Sequence, residues 1–255
     1  MKKRYDGILI ITDLDGTMMS SDGSVSRENC EAIARFQQNG GTFSVATGRL
    51  PTHFAQFADC FVPNAPVITF NGAGIYDLDS QTMLCSHRIP VPLTELLHAA
   101  EEMVSQLDSV IFNSETRREY LSWKEVQAAL PELCAETWLK IIFVFKKEDD
   151  AVRAEKRLRA SPLGKVCDFS RSWNIGLEIL DRTSTKGDAV RVLRSMLPQI
   201  RKVVCIGDYE NDLSMLREAD LGVAVGNAID CVKQTADQVT VTNNESAIAA
   251  LIRSL

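Results

Sequence analysis

Apolar residues along this chain fall into two kinds of block. ILIIT (8–12), TFSVAT (42–47), VITF (67–70), VVCIG (203–207) and LGVAVG (221–226) are short, nearly continuous runs. Strands covered on both faces of a parallel sheet read this way. Stretches with helical periodicity separate them: Arg27 to Gln38, a short helix after Pro51, a helix from Lys186, and another around Asp212 to Glu218. Ser26 is placed to cap the first of these helices and Gly40 to end it. A strand near Val239 and a closing helix complete the pattern, the helix opened by Thr242 with Glu245 at capping-box spacing. Strand and helix alternate at both ends of the chain, which predicts one α/β unit: a parallel sheet with helices on both faces.

The grammar changes between Met83 and Ile179. A helix over Pro92 to Gln106, a long strand over Leu139 to Phe145, a further helix and several short strands read as an α+β insertion. The predicted domains are therefore 1–82 and 180–255 as one core, with 83–179 inserted. No internal repeat or low-complexity tract interrupts them.

The chain has 255 residues, 45% of them hydrophobic, enough to bury a full core. No apolar run approaches the roughly 18–20 residues that span a bilayer. Lys2, Lys3 and Arg4 are followed by only four apolar residues, Ile8 to Ile11, too few for a signal peptide. A cytoplasmic protein without a membrane partner is expected. The net charge of −6 argues against a broad nucleic-acid-binding face, and the basic stretch RAEKRLR at Arg153 to Arg159 reads as the solvated side of a helix. Seven cysteines, an odd number without a C-x-x-C pair, fit reduced thiols better than a disulfide framework. His53, His87 and His98 have no metal-ligand spacing. The sequence leaves monomer and homodimer equally open.

Open parallel sheets bind ligands beyond the carboxyl ends of their strands, so the residues just after each apolar run carry the chemistry. Asp13 and Asp15 follow the first run, and Thr47, Gly48 and Arg49 the second. Lys186 and Gly187 open the C-terminal half, and Asp208, Asn211 and Asp212 follow VVCIG. Each junction alone has an ordinary reading, as a turn or a helix start. Four carboxylates gathered at one crevice would repel each other without a cation. Oxygen-only ligands favour a hard ion, Mg2+. Magnesium beside a lysine and a hydroxyl in turn predicts a phosphorylated small-molecule substrate.

These four junctions, in this order, resemble the motifs of the haloacid dehalogenase superfamily, in its Cof-like phosphatase branch. DLDGT is similar to the first motif, SVATGR to the second, the lysine of TSTKGDAV to the third and GDYENDLSML to the fourth. NGAGIYD and VAVGNA resemble two further stretches of that branch. The resemblance covers the whole chain and implies a Rossmann-like core with an α/β cap inserted between the second and third motifs. It implies a phosphate monoester hydrolase acting on a sugar phosphate or phosphorylated coenzyme. In that chemistry Asp13 is the nucleophile that forms an aspartyl-phosphate, and Asp15 is the general acid and base. Thr47, Gly48 and Lys186 hold the phosphoryl group. Asp13, the Asp15 main-chain carbonyl and Asp208 bind the metal, supported by Asn211 and Asp212. A phosphotransferase or mutase on the same scaffold, or a binding protein without turnover, are the alternatives. Arg117, Arg118 and Tyr120 are candidate cap contacts, and Trp123 and Trp138 candidate packing. Two positions depart from the branch: the approach to the lysine reads Asp181 to Thr185, and Ala247 stands where glycine is usual.

Overall fold

The computed structural model describes residues 3–255, the side chains of Ala55 and Ser172 excepted. The chain divides into two compact units, one formed by the chain up to Cys85 with Lys186–Leu255, the other by Ser86–Thr185.

In the first unit a five-stranded parallel sheet has the order Gln238–Val239, Leu221–Ala224, Lys202–Gly207, Ile8–Thr12, Thr42–Val45. The strand Ile8–Thr12 lies between one partner from each half of the chain, Leu9 opposite both Val203 and Thr42. The two distant sequence stretches are thus one sheet. Apart from the exposed edge strand Gln238–Val239, its strands are buried almost without relief, because helices cover both faces. The helix Arg27–Gln38 begins where predicted, with the Ser26 hydroxyl accepting from the Asn29 N–H. Val67–Thr69 departs from the parallel pattern. It pairs antiparallel in a three-stranded sheet with Gly74–Asp77 and Thr82–Ser86, touching the main sheet through one bridge, Ala46 to Ile68.

The second unit holds a five-stranded antiparallel sheet, ordered Arg118–Leu121, Leu107–Asn113, Lys140–Phe145, Gly176–Asp181, Cys167–Trp173. Helices pack on one face, where Val110, Phe112, Ile141, Phe143 and Ile179 form a core with Leu96, Val126, Leu133 and Leu158. Trp138 joins that core, its indole N–H donating to the Leu133 carbonyl, and Trp123 packs at its edge. Among the described residues, no helix is long and apolar enough to cross a membrane.

Three further expectations are corrected. The predicted helix Pro92 to Gln106 is an α-helix only over Leu93–Ala100. It then tightens into a 3-10 segment, Glu101–Gln106, of which only Met103 is buried to hold it. The Thr242–Glu245 capping box forms, but it closes a single turn, Asn243–Glu245. Ser246, at φ +59°, turns the chain before the last helix starts at Ala247. Two of the thiols expected to be free are joined: Cys30, on the first helix, is disulfide-bonded to Cys60, five others remaining free. Spacing could not show this pair, because the bond depends on the chain folding back after Pro51.

Candidate active site

Every residue of the candidate site belongs to the first unit and sits at the carboxyl end of its parallel sheet. The Asp13 N–H still bonds the Ile206 carbonyl at 2.9 Å, so the ladder places this side chain at the strand end. Beyond it the chain makes a wide turn over Leu14–Met18, closed by the Met19 N–H on the Leu14 carbonyl. Gly16, at φ +83°, lies so close to Asp208 that a Cβ would stand 2.5 Å from its Oδ2. Only glycine gives both that conformation and that approach. From the same turn Thr17 donates its hydroxyl to Asp208 Oδ1 at 2.6 Å.

The neighbouring strand supplies the other wall. Asp208 follows Gly207, and Gly207 lacks a side chain where the Asp212 carboxylate packs, 2.5 Å from where a Cβ would be. Asp212 Oδ2 accepts from the Asp208 and Tyr209 N–H groups at 2.9 and 3.1 Å, and is thereby fixed by the loop it belongs to. Lys186 opens its helix with the ammonium fully buried, donating to Asp13 Oδ1 and Asp212 Oδ1, each at 2.6 Å. Just past the end of the second strand the Thr47 N–H bonds the Ile68 carbonyl, and the Thr47 hydroxyl accepts from the Arg49 N–H at 3.2 Å.

Charge is out of balance in this cluster. Oxygens of Asp13, Asp208 and Asp212 lie within 4.8 Å of one another, with one ammonium among them. Burial works against the Lys186 charge, but Asp13 and Asp212 outweigh it and hold the lysine above its usual range. Burial pushes the Asp13 carboxyl well above the usual carboxylate range; Lys186 opposes this, and Asp212 and Asp208 add to it. Burial, then Asp212, push Asp208 up to about 7. Two buried carboxylates, the half-buried Asp208 and one ammonium leave an excess of negative charge that a small divalent cation would offset. The donors are all oxygen, which suits a hard ion. The residues fit Mg2+.

Of the residues expected at the site, the structure brings Asp13, Lys186, Asp208 and Asp212 together. Asp212, expected as a support, offers its carboxylate as closely as Asp13 and Asp208. Asp15 faces the other way: its exposed carboxylate is gripped by Arg49 through two bonds, Nε to Oδ2 at 2.9 Å and Nη2 to Oδ1 at 2.6 Å. Asn211 Nδ2 bonds Asn71 Oδ1 at 3.2 Å, and Gly48 lies between Thr47 and Arg49. Sequence reasoning assigned no role to Thr17, Arg49, Asn71 or Asn227, whose amide holds the Gly16 carbonyl at 2.8 Å. Thr17 and Arg49 stand within the quoted motifs, so position alone could have flagged them. Asn71 opens NGAGIYD and Asn227 lies in VAVGNA, so position flags them too, although their partners, 140 and 211 residues away, are shown only by the fold.

A parallel α/β sheet with a buried lysine and a carboxylate cluster at its strand ends defines a class of proteins that handle a cation and an anionic ligand at that end of the sheet. The match to known proteins narrows the class: residues 10–252 fit the haloacid dehalogenase-like hydrolase family, and the chain belongs to it. It is 30% identical to the Bacillus subtilis 5-amino-6-(5-phospho-D-ribitylamino)uracil phosphatase YcsE over 96% of this chain and 94% of that one. It is 28% identical to the Escherichia coli pyridoxal phosphate phosphatase YbhA, covering 96% and 97%. Among solved structures, a haloacid dehalogenase-like hydrolase from Bacteroides thetaiotaomicron superposes with a TM-score of 0.77 at 26% identity, covering 98% and 99% of the two chains. Another from B. subtilis superposes at 0.82 and 24% identity, each chain covered in full.

Proposed function

We propose that this enzyme is a Mg2+-dependent phosphate monoesterase of small phosphorylated metabolites, with Asp13 as nucleophile. The observation that carries the reading is the Asp13–Lys186–Asp212 arrangement beside Asp208. It presents one carboxylate at a strand end, oriented by a buried ammonium, among donors suited to a divalent ion. The relatives' names agree, since both quoted phosphatases act on phosphate esters of small polar molecules.

Lys186 occupies Asp13 Oδ1, which directs attack through the other oxygen, Oδ2. That oxygen forms a bond to phosphorus as the bond from phosphorus to the leaving oxygen breaks, giving an aspartyl-phosphate. Asp15 gives the leaving oxygen a proton, then takes one from the water that hydrolyses the intermediate, so free phosphate leaves and both carboxyl groups are restored. For either transfer one Asp15 oxygen must leave Arg49, which makes Arg49 the residue that parks and releases the acid. Thr47, Gly48 and Lys186 hold phosphoryl oxygens, and Lys186 offsets charge as it gathers on them. Asp13, the Asp15 carbonyl and Asp208 would hold the Mg2+, with Asp212 and Asn211 beside them. The bound ion would neutralise phosphate charge.

The test is a phosphate-release screen with Mg2+ over sugar phosphates, nucleotides and phosphorylated coenzymes. The expected result is release from at least one class, abolished by EDTA and in Asp13→Asn. Tight binding of a phosphometabolite without any release would overturn the reading. Release that falls short of substrate loss when sugar acceptors are added would replace hydrolysis by transfer.

A further inference from the structure

Within the first unit a route of contacts runs from the Cys30–Cys60 bond to the carboxylate of Asp15. Cys60 lies just past the 3-10 segment Pro51–Phe57. The Cys60 and Phe61 N–H groups both bond the Phe57 carbonyl, at 2.8 and 3.0 Å. The disulfide thus ties the turn that carries Phe57 to the helix Arg27–Gln38. The buried Phe57 ring stacks on Phe61 at 5.6 Å, and Phe61 meets Phe43 of the second strand edge to face at 6.0 Å. The Arg49 guanidinium stands 5.7 Å from the Phe57 ring centre, and the same guanidinium holds both oxygens of Asp15.

Three properties make this route responsive. A 3-10 segment has poorer hydrogen-bond geometry than an α-helix, so a covalent tie at its end matters for where Phe57 sits. An aromatic face holds a guanidinium in one plane, and a two-bond grip on a carboxylate depends on that plane. Cys30 and Cys60 are both only half-buried, so a small thiol can reach the bond between them. In that exchange a small-molecule dithiol gives up two electrons and two protons. Its own sulfurs join, the Cys30–Cys60 bond breaks, and each cysteine takes up one proton.

We propose that Phe57 is a positioning residue for Asp15, acting through Arg49, and that Cys30 and Cys60 form a redox switch on it. The proposal rests on the monoesterase reading above, in which Asp15 protonates the leaving oxygen. In the oxidised protein the ring keeps Arg49, and with it the acid, in one arrangement. Reduction frees the segment that carries the ring, and the acid is presented less well. An alkoxide leaving group needs the proton and registers the loss, whereas an acidic phenol leaves almost without it.

The experiment measures kcat/KM, with Mg2+, for the alkyl phosphate released fastest in the screen above and for para-nitrophenyl phosphate. The full-length protein is held in reduced dithiothreitol or in its oxidised form, and the wild type, C30S/C60S, F57L and F57Y are compared, each checked for cooperative melting. Reduction should lower the wild-type value for the alkyl ester about threefold and leave the aryl ester within about 1.5-fold. C30S/C60S should match the reduced wild type in both arms. F57L, which keeps an apolar side chain without a ring, should match it too, and F57Y, which keeps the ring, should respond to reduction as the wild type does. If F57L does not fold, C30S/C60S and F57Y decide. Equal losses for both esters, a wild type indifferent to reduction, or an F57L that responds as the wild type does overturns the proposal while leaving hydrolysis standing. Release of no alkyl phosphate in either arm would instead strike the monoesterase reading itself.

Discussion

Asp13 and Lys186 are bound to each other tightly enough that their removal should have opposite consequences. Asp13→Asn keeps the side chain's shape and takes one negative charge from a cluster that has too many. Its melting midpoint in EDTA is expected to equal or exceed that of the wild type, while phosphate release falls by at least about a thousandfold. Lys186→Met leaves Asp13 and Asp212 buried without their cation. It should lose about 3–5 kcal/mol in denaturant unfolding with EDTA present; a loss below about 1 kcal/mol would show that the lysine does not balance them. Arg49 is the residue whose part the sequence concealed. Its place after Thr47 and Gly48 was visible, but its double bond to Asp15 depends on two strand ends meeting. If Arg49 parks the acid, Arg49→Lys, which cannot form that planar fork, should change kcat and its pH profile more than KM. Equal changes in kcat and KM would count against parking.

At the level of elements, the most legible parts were those in which one physical rule decides. ILIIT, TFSV and VVCIG lie in the parallel sheet because continuous apolar runs suit strands covered on both faces, and Ser26 caps the helix it was assigned. Less legible were elements settled by neighbours. VITF reads like another core strand, yet it turns toward its own hairpin. Ser246 adopts a left-handed conformation, which a serine does not advertise, and splits the closing helix from its capping box. The bond between Cys30 and Cys60 ties the first helix to the segment after Pro51–Phe57. Thiol titration of the unfolded protein should therefore find five thiols before reduction and seven after. A disulfide closing a loop of this size, with a sequence separation of 30, is worth about 3.5–4 kcal/mol, so Cys30→Ser with Cys60→Ser should lower stability by about that amount. Seven thiols without reductant would contradict the pairing.

The whole molecule inherits a pH dependence from the acidic cluster. Asp208 has its carboxyl raised by burial and by Asp212, from 3.8 to about 7, and Asp13 is raised in the same direction. The folded protein thus binds these protons more tightly than the unfolded chain does. Their stabilising contribution is complete below 3.8 and is lost as the pH rises through about 7. In EDTA the melting midpoint should fall between about pH 5 and about pH 8. Added Mg2+ should raise it, more at the upper end, because the metal competes with protons for the same oxygens. A metal-free midpoint that climbs across this interval would refute the charge balance drawn from the cluster.

The nucleophilic role of Asp13 is tested most directly by stopping the reaction in acid during turnover, with Mg2+ and a substrate found in the release screen, and locating phosphate on the protein by peptide mass spectrometry. The phosphoryl group is expected on the peptide containing Asp13 in the wild type and on no peptide in Asp13→Asn. Phosphate on a different residue, or full turnover by the Asp13→Asn variant, would contradict the account.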